Sequence, residues 1–449
     1  MMAYDPIEFF TDPILRAPTI GCMLMCLAAA LIGVIVFLRK QSLIGESLSH
    51  AAYPGVICGV LLSTIFINEN NEDSVMAIFV LAGAFTTALI GLWTINYLEQ
   101  KWNVKSDSAL CFVLSSFFGI GLTLASRVQF THSSLYNQIQ VYLYGQAATM
   151  TDGDVIVYGV LAGVILITLL ILYKEIQVII FDRSYARSLG IQVKRIDSIF
   201  FILIVLAVVI GIRSVGIILM SAMLIAPAAA ARQYTNKLYA MLFLAGVFGL
   251  ISGFLGVYLS VEINESLSIK YPAARLTLPT GPIIVIVATV ICLLSLLFAP
   301  ERGLLLRLWR IMRFRYLCLC ENILKVFWRN GPQQEILFDQ IAKYQTASRI
   351  YLRFILSRLV INGWVDQLGP QTYRLTKDGQ QWAAKIVRLH RLWEVYLADY
   401  LGVGAERVHR NAEEMEHILT PEIEQELTLL LKDPKHDPHS QPIPPKDLI

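Results

Sequence analysis

Apolar residues in this chain come in long uncharged blocks rather than at the spacing of an amphipathic helix or strand. Uncharged runs cover 17–38, 51–68, 74–98, 108–126, 155–173, 198–212, 214–231, 238–261 and 276–300. A helix needs about 20 apolar residues to cross the hydrocarbon core of a bilayer, and most of these runs reach that length. A soluble core does not produce so many in succession, so the pattern predicts an all-α polytopic membrane unit of eight to nine transmembrane helices. The run 198–212 is short. It crosses with help from its flanks, or 198–231 holds a broken helix.

The pattern changes at Pro300. Residues 301–331 are basic, with Arg302, Arg307, Arg310, Arg313, Arg315, Lys325 and Arg329. Such a juxtamembrane link lies on anionic membrane lipid or begins a helix. From Gly331 the spacing is that of a small α-rich soluble domain. Helices are expected over 335–345 and 347–361, then short extended pieces at Gly363-Trp364-Val365 and Tyr373-Arg374-Leu375-Thr376. Helices follow from Asp378 to Leu401 and from Ala405 to Ile418. Thr420-Pro421, an N-cap and a first-turn proline, opens a last one to Leu431. The chain thus divides into 1–300, 301–331, 332–380 and 381–449.

Lysine and arginine set the orientation. One set of loops holds eleven of them, from Arg39 and Lys40 through Arg183, Arg187, Lys194 and Arg195 to Arg232 and Lys237; the opposite set holds Arg127, Arg213, Lys270 and Arg275. The richer side is cytoplasmic by the positive-inside rule, which places the C-terminal domain in the cytoplasm. Composition agrees, with 56% hydrophobic and 16% charged residues, too apolar for a soluble chain of this size. The net charge of +3 averages two unlike halves and decides little. The seven cysteines form no CxxC pair, and those facing a reducing cytoplasm form no structural disulfide. The acidic N-terminus and long first run read as a retained helix rather than a cleaved signal peptide. A Gly-x4-Gly-Lys-Ser/Thr loop is absent. Transport driven by ATP therefore needs a separate ATPase chain, and this chain is not itself an enzyme.

Candidate chemistry lies in both halves. Glu46 and His50 stand four apart in Gly45-Glu46-Ser47-Leu48-Ser49-His50, so they share one helix face. An ionisable pair inside a membrane usually marks a pathway, and carboxylate with imidazole suits Mn, Fe or Zn. Five of the seven histidines fall in the last 60 residues. His390 has Glu394 one turn on, and His409 has Glu413, Glu416 and His417 on the same helix face. A solvated charged face explains the glutamates alone but not the histidines among them.

The segment Glu46 to Pro54, the loop Phe181-Asp182-Arg183-Ser184-Tyr185-Ala186-Arg187-Ser188-Leu189-Gly190, the stretch Val215-Gly216 to Pro227, and Leu278-Pro279-Thr280-Gly281-Pro282 together resemble the ABC type II importer permeases for zinc, manganese and iron over about 15–300. Glu46 stands where that family usually has aspartate. The resemblance implies that Glu46 and His50 line the metal pathway and that Asp182, Leu189 and Gly190 belong to a short helix resting on the ATPase. It also implies three partners: an ABC ATPase subunit, a second permease subunit or a second copy of this chain, and an extracytoplasmic metal-binding protein. The transported substrate would be Fe(II), Mn(II) or Zn(II).

Residues 320–449 resemble the DtxR/MntR class of metal-dependent repressors. The motifs are Arg374-Leu375-Thr376-x2-Gly379, Val387-Arg388-Leu389-His390-Arg391-Leu392-Trp393-Glu394, Val408-His409-x3-Glu413-x2-Glu416-His417 and Asp437-Pro438-His439-x2-Pro442-Ile443-Pro444. The resemblance implies a winged helix-turn-helix followed by a helical dimerisation and metal-binding domain. Its co-repressor is Fe(II) or Mn(II), held by His390, Glu394, His409, Glu413, Glu416 and His417, with Glu321 as a loosely matching ligand from the first helix. Glu413 stands where iron-type members have cysteine. Operator DNA would meet Ser348, Arg349, Tyr351 and Arg353 on the second helix and Arg374 on the wing. The third, SH3-like domain of longer members is missing. The combined reading is an importer permease joined to a repressor of, most directly, its own operon. In an alternative the C-terminal domain senses metal, inhibits transport in cis and leaves DNA alone. An ion-coupled secondary transporter is disfavoured by the coupling-loop match.

Overall fold

The computed structural model describes residues 5–66, 72–131, 133–217, 219–270, 278–345, 347–402 and 421–445. The chain divides into two compact units, Met1–Leu306 and Arg307–Ile449.

Among the described residues the first unit contains helices and no strand. After a short α1 (Glu8–Thr11) come α2 (Pro13–Leu38), α3 (Leu43–Phe66), α4 (Glu72–Trp102), α5 (Ser106–Thr131), α6 (Ser133–Tyr144), α7 (Asp152–Ile171), α8 (Tyr173–Phe181), α9 (Arg183–Ser188), α10 (Val193–Val215), α11 (Met220–Arg232), α12 (Leu238–Lys270) and α13 (Thr280–Phe298). Among the described residues, seven helices are long and apolar enough to cross a membrane: α2, α4, α5, α7, α10, α12 and α13. The 24-residue α3 has their length, but Glu46, Ser47, Ser49 and His50 make its first half more polar. These seven and α3 make eight helices of spanning length among the described residues, and α11 is shorter. The 13 residues of α11 rise only about 20 Å, less than a bilayer core. Both readings of 198–231 therefore hold in part. The helix α10 reaches spanning length by taking in Lys194, Arg195, Asp197 and Arg213 from the flanks. It then breaks at Gly216, whose φ of 94° is a left-handed conformation that glycine adopts without strain.

The ends of the helices are sorted by ion pairs. The half-buried Asp197 sits between Arg39 at 2.9 Å and Arg183 at 2.5 Å, tying the ends of α2, α9 and α10 together. At the other end of α10, Arg213 pairs with Asp154 at 2.8 Å, and Arg16 pairs with Asp152 at 3.0 Å. Arg302, beyond α13, donates to Asn236 in the loop between Arg232, the last residue of α11, and α12.

The second unit opens with α14 (Leu304–Asn330), which begins just before the division between units and runs unbroken into this unit's core. Then come β1 (Ile336–Leu337), α15 (Phe338–Lys343), α16 (Arg349–Ile361), β2 (Val365–Gln367), β3 (Thr372–Leu375), α17 (Lys377–Asp399) and α18 (Pro421–Leu430). The strands form an antiparallel sheet of order β1-β3-β2. One expectation is corrected here. The helix placed at 335–345 begins only at Phe338, because Ile336 and Leu337 pair with Tyr373 and Thr372 as a third strand. A second correction concerns 301–331, read as a link. Cys320, Ile323, Leu324 and Phe327 of α14 are buried with Leu352, Ile355, Leu356 and Leu359 of α16 in the core of this unit. The expected helix 405–418, with His409, Glu413, Glu416 and His417, lies outside the described residues.

Candidate functional site

In the first unit the chemistry centres on α3. Gly55 and Gly83 bring α3 and α4 into backbone contact. A Cβ on Gly55 would lie 2.0 Å from the Gly83 carbonyl oxygen, and one on Gly83 would lie 2.3 Å from that of Gly55. Small residues permit this approach, and it fixes the helix that carries Glu46 and His50. His50 is 8% exposed, and its ring meets Phe118 of α5 edge-on at 4.4 Å. Its Nδ1 is buried with no hydrogen-bond partner. Pro54, inside α3 four residues on, has no N–H to offer the His50 carbonyl. Glu46 is half-buried in the first turn, one turn before His50. The neighbouring hydroxyls are committed elsewhere: Ser47 donates to the Leu110 carbonyl and Ser49 to that of Gly45.

The loop around Asp182 folds into α9 with both ends closed. The Asp182 carboxylate accepts from the Ser184 and Tyr185 amides at 2.7 and 3.1 Å. At the other end, Gly190 N–H donates to the Arg187 carbonyl and Ile191 N–H to that of Ala186, the paired bonds that end a helix on a left-handed residue. Gly190 has φ +81°, and a Cβ there would meet nothing within 4 Å, so backbone conformation rather than space calls for glycine. Ala186 is buried, while Phe181, Tyr185 and Leu189 are exposed. Asp182 and Gly190 therefore shape the helix, and Leu189 is among the residues it presents outward.

In the second unit His390 and Glu394 meet on α17, Nε2 to Oε1 at 3.1 Å, with both residues buried. They line a cleft of about 1210 Å³ together with Asn322 and Lys325 of α14 and Asp437 and His439 of the C-terminal segment. Glu321 is not among the described residues lining it. It sits half-buried one position before Asn322, about 100° around α14. An imidazole and a carboxylate, desolvated and one turn apart, are the donor set that Mn(II) and Fe(II) accept. They would hold part of such an ion. Among the described residues no group of three or more His, Cys, Asp or Glu forms a metal site.

Two arginines missed at the sequence level hold this cleft together. Arg388 is 2% exposed. It donates to the Pro444 carbonyl at 2.9 Å and to Asp433 at 2.8 Å, and lies 3.6 Å from Glu424. Arg391 donates to the Pro442 carbonyl and lies 3.5 Å from Asp437. Burial lowers the Arg391 guanidinium from its ordinary value, and Asp437 and Glu394 draw it back up. Asp437 in turn accepts from the His439 and Gln441 amides at 2.9 and 2.7 Å. The Pro-rich tail is thus a strap clipped to α17 on both sides of His390. The only advance sign of this was arginine at two positions flanking a candidate ligand. Arg388→Ala is expected to cost this unit about 3 kcal/mol, the scale for breaking a buried ion pair from one side. Chemical denaturation of the C-terminal fragment measures it, and an unchanged midpoint would contradict the clip.

The candidate DNA residues are carried by α16 and the wing. The Ser348 hydroxyl accepts from the Tyr351 amide at 3.4 Å as the N-cap of α16. Arg349, paired with Asp339, and Arg353 both lie over the Phe338 ring and stay exposed. Tyr351 is stacked on the exposed Phe354. Arg374, half-buried on β3, faces Asp366 across the ladder.

Comparison with known proteins gives two domain matches. Residues 11–299 match the ABC 3 transport family. Residues 376–445 match the iron dependent repressor, metal binding and dimerisation domain. A probable metal transport system membrane protein of Chlamydia trachomatis is 38% identical over 442 residues, 97% of this chain and 97% of that protein. The manganese transport system membrane protein MntC of Bacillus subtilis is 32% identical over 379 residues, 84% of this chain and 82% of that one. The solved structure of PsaBC from Streptococcus pneumoniae in complex with Fab superposes with a TM-score of 0.54 at 27% identity, covering 66% of this chain and 96% of that chain. The chain belongs to the ABC 3 transport family, as a metal-transport permease with an iron-dependent-repressor domain fused behind it.

Proposed function

We propose that the first unit carries Fe(II), Mn(II) or Zn(II) across the inner membrane past Glu46 and His50. In this reading it works with a second permease subunit and receives metal from an extracytoplasmic binding protein. The permease is not an enzyme, and in this family the ATPase is a separate subunit. The observation that carries the pathway is His50: a buried imidazole in a membrane helix with an unpartnered nitrogen. Coupling to the ATPase would use the exposed face of α9. The cytoplasmic side is supported by Asp197, which gathers Arg39 and Arg183 of the lysine- and arginine-rich loops at one end of the bundle. The bond from Arg302 to Asn236, near Arg232 and Lys237, supports an exit to the second unit on the same side.

We further propose that the second unit binds Fe(II) or Mn(II) through His390, Glu394 and ligands of 409–417, dimerises, and represses the operator of its own importer through α16 and the wing. Footprinting with a 314–449 fragment, with and without metal, tests this. Protection that appears only with metal supports it, and none in either condition favours regulation in cis. The second reading has one observation behind it, the continuity of α14 from the end of the permease into the sensor core.

A repressor dimer must present two recognition helices about one DNA turn apart, which a membrane tether restricts. We therefore expect proteolysis to free the second unit as a fragment of about 14–17 kDa, an ordinary domain size. The cut has to fall before Tyr316, because the helix beyond it is core. Immunoblotting native cells with an antibody to the C-terminus checks this. Full-length membrane protein alone, in both metal-replete and metal-starved cells, would contradict it.

A further inference from the structure

The first twelve residues of α14, 304–315, are all exposed. They read Leu-Leu-Leu-Arg-Leu-Trp-Arg-Ile-Met-Arg-Phe-Arg: eight apolar residues and four arginines, with nothing acidic and nothing neutral and polar. Only from Tyr316 does α14 turn a face into a core. A soluble domain rarely exposes so much contiguous apolar surface unless something covers it.

The arrangement points to what does. On a helical wheel Leu304, Leu305, Leu308, Trp309, Ile311 and Met312 fall along one side. Arg307, Arg310 and Arg313 fall along the other with Leu306 and Phe314 between them, Arg315 ends the segment on the apolar side, and the Arg313 guanidinium lies over the Trp309 ring at 5.5 Å. Twelve residues extend about 18 Å as a helix, too short to cross a bilayer. Lying in its surface, such a helix sinks its apolar side to the level of the acyl chains and holds its arginines among the headgroups. Tryptophan and arginine are the side chains that settle at this depth. The membrane is also within reach along the chain: α13, a spanning helix, ends at Phe298, six residues before Leu304. A segment whose sequence carries four arginines and no acidic residue favours an anionic surface over a protein face of mixed charge.

We propose that residues 304–315 form an interfacial helix that binds anionic lipid and holds the sensor unit on the membrane, even when the chain is cut after α13. The proposal rests on the membrane placement of the first unit and deepens the reading of a releasable repressor. A cut between Pro300 and Leu304 separates the two activities but leaves the sensor on the bilayer. A cut between Arg313 and Tyr316 sets it free.

The test uses the full chain with a protease recognition sequence inserted after Pro300, reconstituted in vesicles of phosphatidylcholine with phosphatidylglycerol. After cleavage the vesicles are sedimented. The C-terminal product is expected to pellet, and to transfer to added empty vesicles of the same composition but not to those of phosphatidylcholine alone. Each Arg→Gln change at 307, 310 and 313 should weaken partitioning about fivefold, the effect of one basic residue near such a surface. Leu308→Asp with Met312→Asp should send the product to the supernatant. A wild-type product in the supernatant overturns the proposal. So does one that stays with the permease vesicles and never transfers, which would mark a protein contact, or one that partitions equally into both lipids. The wild-type comparison needs no variant to fold. Metal uptake measured in the uncut vesicles tests the transport reading separately.

Discussion

Metal uptake through the His50→Ala permease is expected to fall about 100-fold, a large effect even on the scale for disturbing a metal ligand's surroundings, while the complex with the ATPase still assembles. The reason lies in what His50 gives up by being where it is. A buried polar atom without a partner costs about 1–3 kcal/mol, and the His50 Nδ1 is such an atom. The neighbouring hydroxyls are satisfied inside the protein, Ser47 by the Leu110 carbonyl and Ser49 by that of Gly45. The ring is held by Phe118 rather than by a hydrogen bond, so its orientation survives while a ring nitrogen stays uncommitted. Pro54 leaves the His50 carbonyl without its helical N–H, which adds an oxygen donor at the same level of α3. Assembly should be spared because the coupling helix α9 is a separate element with its own caps. The measurement is uptake of radioactive Mn(II) or Fe(II) into proteoliposomes containing the whole transporter. Wild-type rates in the variant would show that the metal travels by another route.

Local signals carried the sequence reading a long way. The long uncharged runs are readable because a bilayer demands length, and the i, i+4 pairs at Glu46/His50 and His390/Glu394 are readable because helix geometry alone puts them on one face. The short helix at 182–190 came through the resemblance, and the Asp182 cap that opens it is visible only in the structure. What failed depended on distant partners. Ile336-Leu337 is a strand only because Tyr373, far along the chain, pairs with it; two apolar residues before a helix otherwise look like its first turn. Arg388 reads as one charge on a helix face, yet it is buried by contacts with Asp433 and Pro444, 45 and 56 residues on. Glu321 illustrates the precision that motif matching lacks. A shift of one residue on α14 turns a side chain about 100°, and it is Asn322 that meets the cleft. The basic stretch 301–331 was read from charge alone, and charge does not reveal that its second half is core.

The second large effect is expected in sensing. Glu394→Gln should remove the metal dependence of operator binding, weakening the apparent metal affinity about 10–100-fold, with the fold intact. Glutamine keeps the size and a hydrogen-bonding oxygen but not the charge that a divalent ion needs, and the site it occupies is 2% exposed, so water cannot replace the lost anion there. The consequence should reach DNA because α17 is pinned to the wing at its start. Thr376 caps the helix at the Gly379 amide and donates to the Gly363 carbonyl at 2.7 Å. Gly379 packs so close to the Trp364 carbonyl that a Cβ would fall 1.9 Å from it. Trp364 stacks on Trp382, one turn further on. A change at His390 and Glu394 that moves α17 must therefore carry the base of the wing with it. Metal and proton compete for Nε2 of His390, so the wild-type response should also weaken as pH falls. Arg349→Ala provides the contrast: it removes a candidate DNA contact and should lower binding with and without metal alike. Titrating operator DNA with the 314–449 fragment, with and without Mn(II) or Fe(II), separates the two. If Glu394→Gln keeps the wild-type ratio of metal-bound to metal-free affinity, the ion that controls the repressor does not sit on α17.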